Sequence, residues 1–110
     1  MNDNRNKIHL ERVIEAIKTI KSHIAGYSFE DFSKDKKTLD SVLMQFLNIG
    51  ELVNNLSEDF REKHSDLLWH RPVGLRNEIA HGYFNIKPEI IWQTVKEDLP
   101  VLKKQIKKLI

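Results

Sequence analysis

"TLDSVLMQFLNIGELVNNLS", residues 38–57, decides the fold. Leu39, Val42, Leu43, Phe46, Leu47, Ile49, Val53 and Leu56 recur at three- and four-residue spacing, the period that lines one face of an α-helix. The pattern predicts a helix from about Lys37 to Leu56. Gly50 lies inside it, where glycine costs about 1 kcal/mol relative to alanine. That position is therefore expected to mark a place where another backbone packs closely.

A stripe of this length needs apolar partners, and the flanking sequence supplies them. Upstream, Leu10, Val13, Ile14, Ile17, Ile20 and Ile24 repeat with the same period, and Gly26 follows as a stop. Between the two helices, "SFEDF" offers Ser28 as an N-cap with Asp31 at the third helical position, and "KDKK", residues 34–37, reads as a solvated charge run. Downstream, Ser57 can cap a short helix through "EDFREKH". Pro72 suits the first turn of a further long helix, which Gly82 can stop. "YFNIK" then connects to Pro88, which opens a last helix bearing Ile90, Ile91, Val95, Leu99, Leu102, Ile106 and Leu109; Pro100 is expected to kink it. No strand alternation, hairpin turn or internal repeat interrupts this pattern. The expected architecture is an all-α, up-down bundle of four main helices with short extra ones, residues 1–110 forming a single domain.

Composition narrows the function. The chain has 110 residues, 40% of them hydrophobic and 31% charged, enough for one core. Without cysteine there is no disulfide, thiolate metal site or cysteine nucleophile. The net charge of +2 is compatible with a nucleic-acid partner but does not identify one. No apolar run exceeds three residues, and "MNDNRNKIHL" lacks the apolar core of a signal peptide, so a cytoplasmic location without membrane association is expected. The five histidines are scattered and no HExxH occurs, so no metal or other cofactor is expected. The four glycines stand apart at 26, 50, 74 and 82, which excludes a glycine-rich phosphate loop. Glu51 could act as an acid or base but reads first as an exposed or capped helix carboxylate. Lys103, Lys104, Lys107 and Lys108 gather opposite Leu102, Ile106 and Leu109, a solvated face that could also contact an RNA backbone.

One stretch remains, "GLRNEIAHGYFNI", residues 74–86, which places Arg76, Asn77, His81 and Tyr83 within eight residues. On an ideal helix Asn77 and His81 share a stripe, whereas Arg76 and His81 stand about 140° apart. They can converge if His81 occupies a frayed last turn, or if two copies meet across a two-fold axis and share a cleft. Arginine keeps its charge and grips two phosphate oxygens at once, and histidine is suited to proton transfer near neutral pH. Read only structurally, Arg76 is an ion-pair partner, His81 a dipole cap and Asn77 solvated.

"RNEIAHGY" resembles the Arg-x4-His-x-Tyr motif of the HepT-like toxins within the HEPN superfamily. The flanks resemble that family too: "FLNIGELVNNLS" is similar to its Ile-Gly-Glu helix, and "HGYFNIKPEIIWQTVKEDLPVL" to its C-terminal helix. "WHRPVGLRN" departs from the expected lead-in at Arg71 and Pro72, leaving the start of the fourth helix open. The resemblance implies a HEPN-like, dimeric, metal-independent endoribonuclease acting on RNA as the toxin of a toxin-antitoxin pair. Arg76, His81 and Asn77 would serve its active site. It further implies a minimal nucleotidyltransferase antitoxin that adenylylates Tyr83, placing an AMP group beside Arg76 where an RNA phosphate must sit; the partner would bring catalytic base and metal. The rival class is a non-catalytic HEPN-like module that binds a partner protein or nucleotide.

Overall fold

The computed structural model describes residues 2–110, with side chains from residue 4 onward. The chain forms α1 (Asn2–His23), α2 (Phe29–Lys34), α3 (Lys36–Asn54), α4 (Glu58–Lys63) and α5 (His70–Gly82), then a single 3-10 turn (Tyr83–Asn85). A final rod comprises α6 (Pro88–Gln93), a π-helical stretch (Thr94–Asp98) and α7 (Leu99–Lys107). The described residues contain no strand, and the long elements α1, α3, α5 and the final rod make the four-helix bundle that the periodicity implied.

Local chemistry sets the boundaries. α1 ends at His23, and Gly26 closes the turn beyond it with a φ of 79°, a conformation that glycine adopts without steric cost. Ser28 and Asp31 form the reciprocal capping box at α2: the Asp31 N–H donates to Ser28 Oγ at 3.1 Å, and the Ser28 N–H to the Asp31 carboxylate at 3.0 Å. Within "KDKK", Asp35 is more than a solvated charge. It caps α3 by accepting from the Thr38 N–H at 3.1 Å. Ser57 caps α4, and the buried side chain of Asn6 in α1 bonds both the Ser57 hydroxyl and its N–H, each at 3.1 Å. The open question at "WHRPVGLRN" resolves as a helix starting at His70, with Pro72 inside the first turn, where its missing N–H is harmless.

Two helix boundaries have their own backbone geometry. α5 ends at Gly82, where its stop was expected; the φ there is −140°, and the chain tightens directly into the 3-10 turn. Pro100, at the start of α7, is preceded by the π-helical stretch. A proline ring crowds the carbonyl four residues back, here that of Lys96, and offers no N–H to it. The wider π turn, Thr94–Asp98, spans that carbonyl, so the proline is met by a π-bulge, itself a place where helices bend.

The stripes meet in one core. Val13, Ile17 and Ile20 of α1, Val42, Phe46, Ile49 and Val53 of α3, Ile79 of α5, and Ile91, Leu99 and Ile106 of the final rod are all buried. Phe32 of α2 is fully buried, with its ring 5.2 Å from Trp92, and thereby pins the short helix to the rod. α3 and α5 run antiparallel: Gly50 of α3 meets Pro72 and Arg76, while Asp40, a few turns earlier in α3, meets Tyr83 beyond the end of α5.

Candidate active site

The antiparallel pairing of α3 and α5 builds the site. At Gly50 the two backbones come so close that a Cβ there would stand 2.2 Å from Arg76 Cβ and 2.8 Å from the Pro72 carbonyl oxygen. This is the close approach expected from a glycine inside a helical stripe. The contact holds the stem of Arg76 against α3 and directs its guanidinium outward. There Arg76 Nη2 lies 3.3 Å from the Glu51 carboxylate, and Nη1 donates to Asn77 Oδ1 at 3.1 Å. Glu51 therefore acts as the counter-ion of Arg76. Both side chains remain partly solvated, so the pair is worth no more than about 1 kcal/mol, and a phosphate can displace the carboxylate at small cost.

Asn77 and His81 lie on the exposed side of α5, and His81 has no hydrogen-bond partner among the described residues. His81 lies inside α5, one residue before Gly82 leaves helical backbone at a φ of −140°, so the five-residue spacing keeps it on a different side of the helix from Arg76. Within one chain Arg76 bonds Asn77, and His81, on the same stripe as Asn77, stands on a different side of the helix from Arg76. Asn77 uses its carbonyl oxygen on Arg76, which leaves its amide N–H groups available as donors.

Tyr83 is tied to the start of α3. Its hydroxyl donates to the Asp40 carboxylate, and the Lys36 ammonium donates to the same hydroxyl at 3.2 Å and to Asp40 at 3.0 Å. Lys36 Nζ also stands 5.5 Å from the Tyr83 ring centroid, while Phe84, 95% exposed, packs its ring edge to face against Tyr83. The hydrogen bond from Tyr83, followed by that from Lys36, holds Asp40 below the usual carboxylate range; the bond to Asp40 raises Lys36. Lys36 and Asp40 carried no signal in the sequence, because their partner lies more than forty residues away. An i,i+4 Lys/Asp pair at a helix start reads as surface decoration.

The lysines of the final rod differ in burial. Lys103 is half-buried, and its pKa is lowered first by burial and then by Lys107 and by Lys21 and Lys18 of α1; Lys104, Lys107 and Lys108 are exposed. The basic cluster thus spans the α1/α7 seam. A groove of about 450 Å³ lies between α5 and the final rod, over Phe46, Leu75 and Leu102, with the Arg71–Asp98 ion pair at 3.0 Å on its lining. Arg76, Asn77 and His81 do not line it. Among the described residues, no three His, Asp or Glu side chains gather closely enough to hold a metal ion, and no helix is long and apolar enough to cross a membrane.

The profile of the Ribonuclease HepT-like family matches residues 13–109. Relatives include the probable ribonuclease HepT of Thermococcus cleftensis, 38% identical over 104 residues, covering 94% of each chain. A Caldanaerobacter subterraneus subsp. tengcongensis protein provisionally named an RNase is 36% identical over 102 residues, covering 93% of this chain and 91% of its own. No solved structure matches the chain. With nearly the whole bundle and every motif residue inside the matched region, the chain belongs to the HepT-like ribonuclease family.

Proposed function

We propose that this protein is a metal-independent endoribonuclease toxin whose active site combines Arg76 and Asn77 of one copy with His81 of a second. RNA carries its own nucleophile, the ribose 2′-OH. Cleavage then needs a group to take that proton, a proton for the departing 5′-oxygen, and positive charge on the phosphorane. His81 serves the proton transfers, Arg76 grips the phosphate oxygens bidentately after exchanging Glu51 for RNA, and the amide of Asn77 donates to the same phosphate. The observation that carries this reading is the place of His81 inside α5, five residues after Arg76, which keeps the two on different sides of the helix and favours a cleft between two copies. Binding of the RNA flanks falls to the α1/α7 basic seam around Lys103 and Lys107, with Lys104 and Lys108 beside it. A nucleotidyltransferase antitoxin neutralises the enzyme by adenylylating Tyr83. The added bulk and negative charge fall at the end of the motif helix, where an RNA phosphate has to approach.

Incubation of purified protein with bulk RNA in EDTA tests the enzyme directly. The parent is expected to cleave, and His81→Ala and Arg76→Ala to lose about 10²-fold or more in rate. His81→Ala should keep its thermal stability within about 0.5 kcal/mol, since the side chain is exposed and unpaired. Parental rates in either variant overturn the assignment. Absence of cleavage in the parent leaves the non-catalytic module as the better account.

A further inference from the structure

Both tyrosines of the chain, Tyr27 and Tyr83, donate their hydroxyl to an aspartate, but the two acceptors are differently occupied. The Asp35 carboxylate takes Tyr27 at 2.6 Å, the Thr38 hydroxyl at 2.7 Å and the Thr38 N–H at 3.1 Å. It is saturated by its duty as a helix cap, and Tyr27 is half-buried. Asp40 caps nothing, and the oxygen of Tyr83 also receives the Lys36 ammonium at 3.2 Å. Tyr83 is 37% exposed, so its side chain reaches solvent more than that of half-buried Tyr27. Charged groups this exposed add little to stability. What they do form is a nucleophile, a base and a cation on one oxygen.

We propose that Tyr83, Asp40 and Lys36 form an activated acceptor for an electrophilic phosphorus, with Asp40 as the base and Lys36 as the cation that carries charge on the phenolic oxygen and the incoming phosphoryl group. This deepens the neutralisation reading above and rests on it for the natural donor, a nucleoside triphosphate held by the transferase. The phenolic oxygen of Tyr83 forms a bond to the α-phosphorus, the bond from that phosphorus to the pyrophosphate oxygen breaks, pyrophosphate leaves, and the phenolic proton passes to Asp40. A phenol is almost fully protonated at neutral pH, so the transfer needs an acceptor in place. Asp40, held below the usual carboxylate range, takes the proton late, once bond formation has made the phenolic oxygen acidic. Lys36 keeps its proton throughout. The base thus comes from this chain, and the transferase holds nucleotide and metal.

An aryl sulfonyl fluoride, which a tyrosine oxygen attacks with loss of fluoride, tests the activation without any transferase. Peptide mass spectrometry should show Tyr83 labelled at least about tenfold faster than Tyr27. Asp40→Asn and Lys36→Met should each slow Tyr83 to near the Tyr27 rate, with Asp40→Glu recovering part of it as a base of similar chemistry. Tyr27 also monitors folding: its labelling rises if a variant unfolds, and the other variant then decides. Equal labelling of the two tyrosines in the parent, or an unchanged Tyr83 rate in the folded variants, overturns the inference. Separately, incubation with the transferase, ATP and magnesium reads AMP addition by intact mass. Strong probe labelling without AMP addition counts against the neutralisation reading and leaves the activated phenol standing.

Discussion

Gly50 shows how a single missing side chain sets the position of Arg76, the residue proposed to grip the phosphate. An alanine there would gain about 1 kcal/mol in helix propensity. Its Cβ, however, would overlap the stem of Arg76 and press on the Pro72 carbonyl oxygen, and the latter is backbone that cannot rotate away. Overpacking of this kind costs about 1–3 kcal/mol or more, so the clash wins. Gly50→Ala is expected to lower stability by about 1–3 kcal/mol and to reduce RNA cleavage further than the stability loss explains, because α5 must move and Arg76 moves with it. Denaturant melts beside cleavage rates check this; a variant as stable and as active as the parent contradicts it. A glycine inside an apolar stripe signalled this contact in the sequence. The identity of the contacting residue emerges only once α3 and α5 are paired.

The α2/α3 junction has its own pH dependence. Asp35, bonded first by the Tyr27 hydroxyl and then by Thr38, is held down at about 2, and Asp31 is lowered by the Ser28 N–H and hydroxyl. An aspartate whose folded pKa lies below its unfolded value stabilises the fold above the unfolded pKa, and that contribution is lost as pH falls through the folded one. The junction should therefore hold at pH 5 and loosen between about 4 and 2. In Tyr27→Phe, an NMR titration of the Asp35 carboxyl should find its midpoint moved upward toward 3.8, and the acid loosening should begin at higher pH. A midpoint unmoved by the substitution would remove Tyr27 as the main cause. Such elements also show what a sequence makes legible. Apolar spacing and the Ser28, Ser57 and Pro88 signals are local, so the helices and their starts could be read directly. The partners of Asp35, Lys36 and Asp40 are set by tertiary packing or by a side chain eight residues off, so "KDKK" looked like solvated charge. The Arg76, Asn77, His81 and Tyr83 cluster was visible as residue types; the separation of Arg76 from His81 follows from both lying inside α5, five residues apart.

At the scale of the whole molecule, the α5 geometry makes a prediction about assembly that can be separated from every folding effect. His70, Gly74, Asn77 and His81 follow one another at spacings of four, three and four residues, so they form one exposed stripe along α5. At Gly74 a Cβ would meet nothing within 4 Å, leaving open space in the middle of that stripe where a second helix can come close. If two copies pair there about a two-fold axis, each Arg76 faces the His81 of its partner, and each dimer holds two equivalent sites. Arg76→Ala and His81→Ala homodimers then have every site damaged. Mixing the two inactive variants in equal amounts and letting them exchange gives half heterodimers, and in each of these one site has both wild-type residues while the other has neither. About a quarter of the parental cleavage should return, and only after exchange. A site complete within one chain gives no recovery at any mixing ratio. Sedimentation of the same samples completes the test: a dimer that exchanges subunits without recovery, or a monomer that cleaves RNA, removes the shared site.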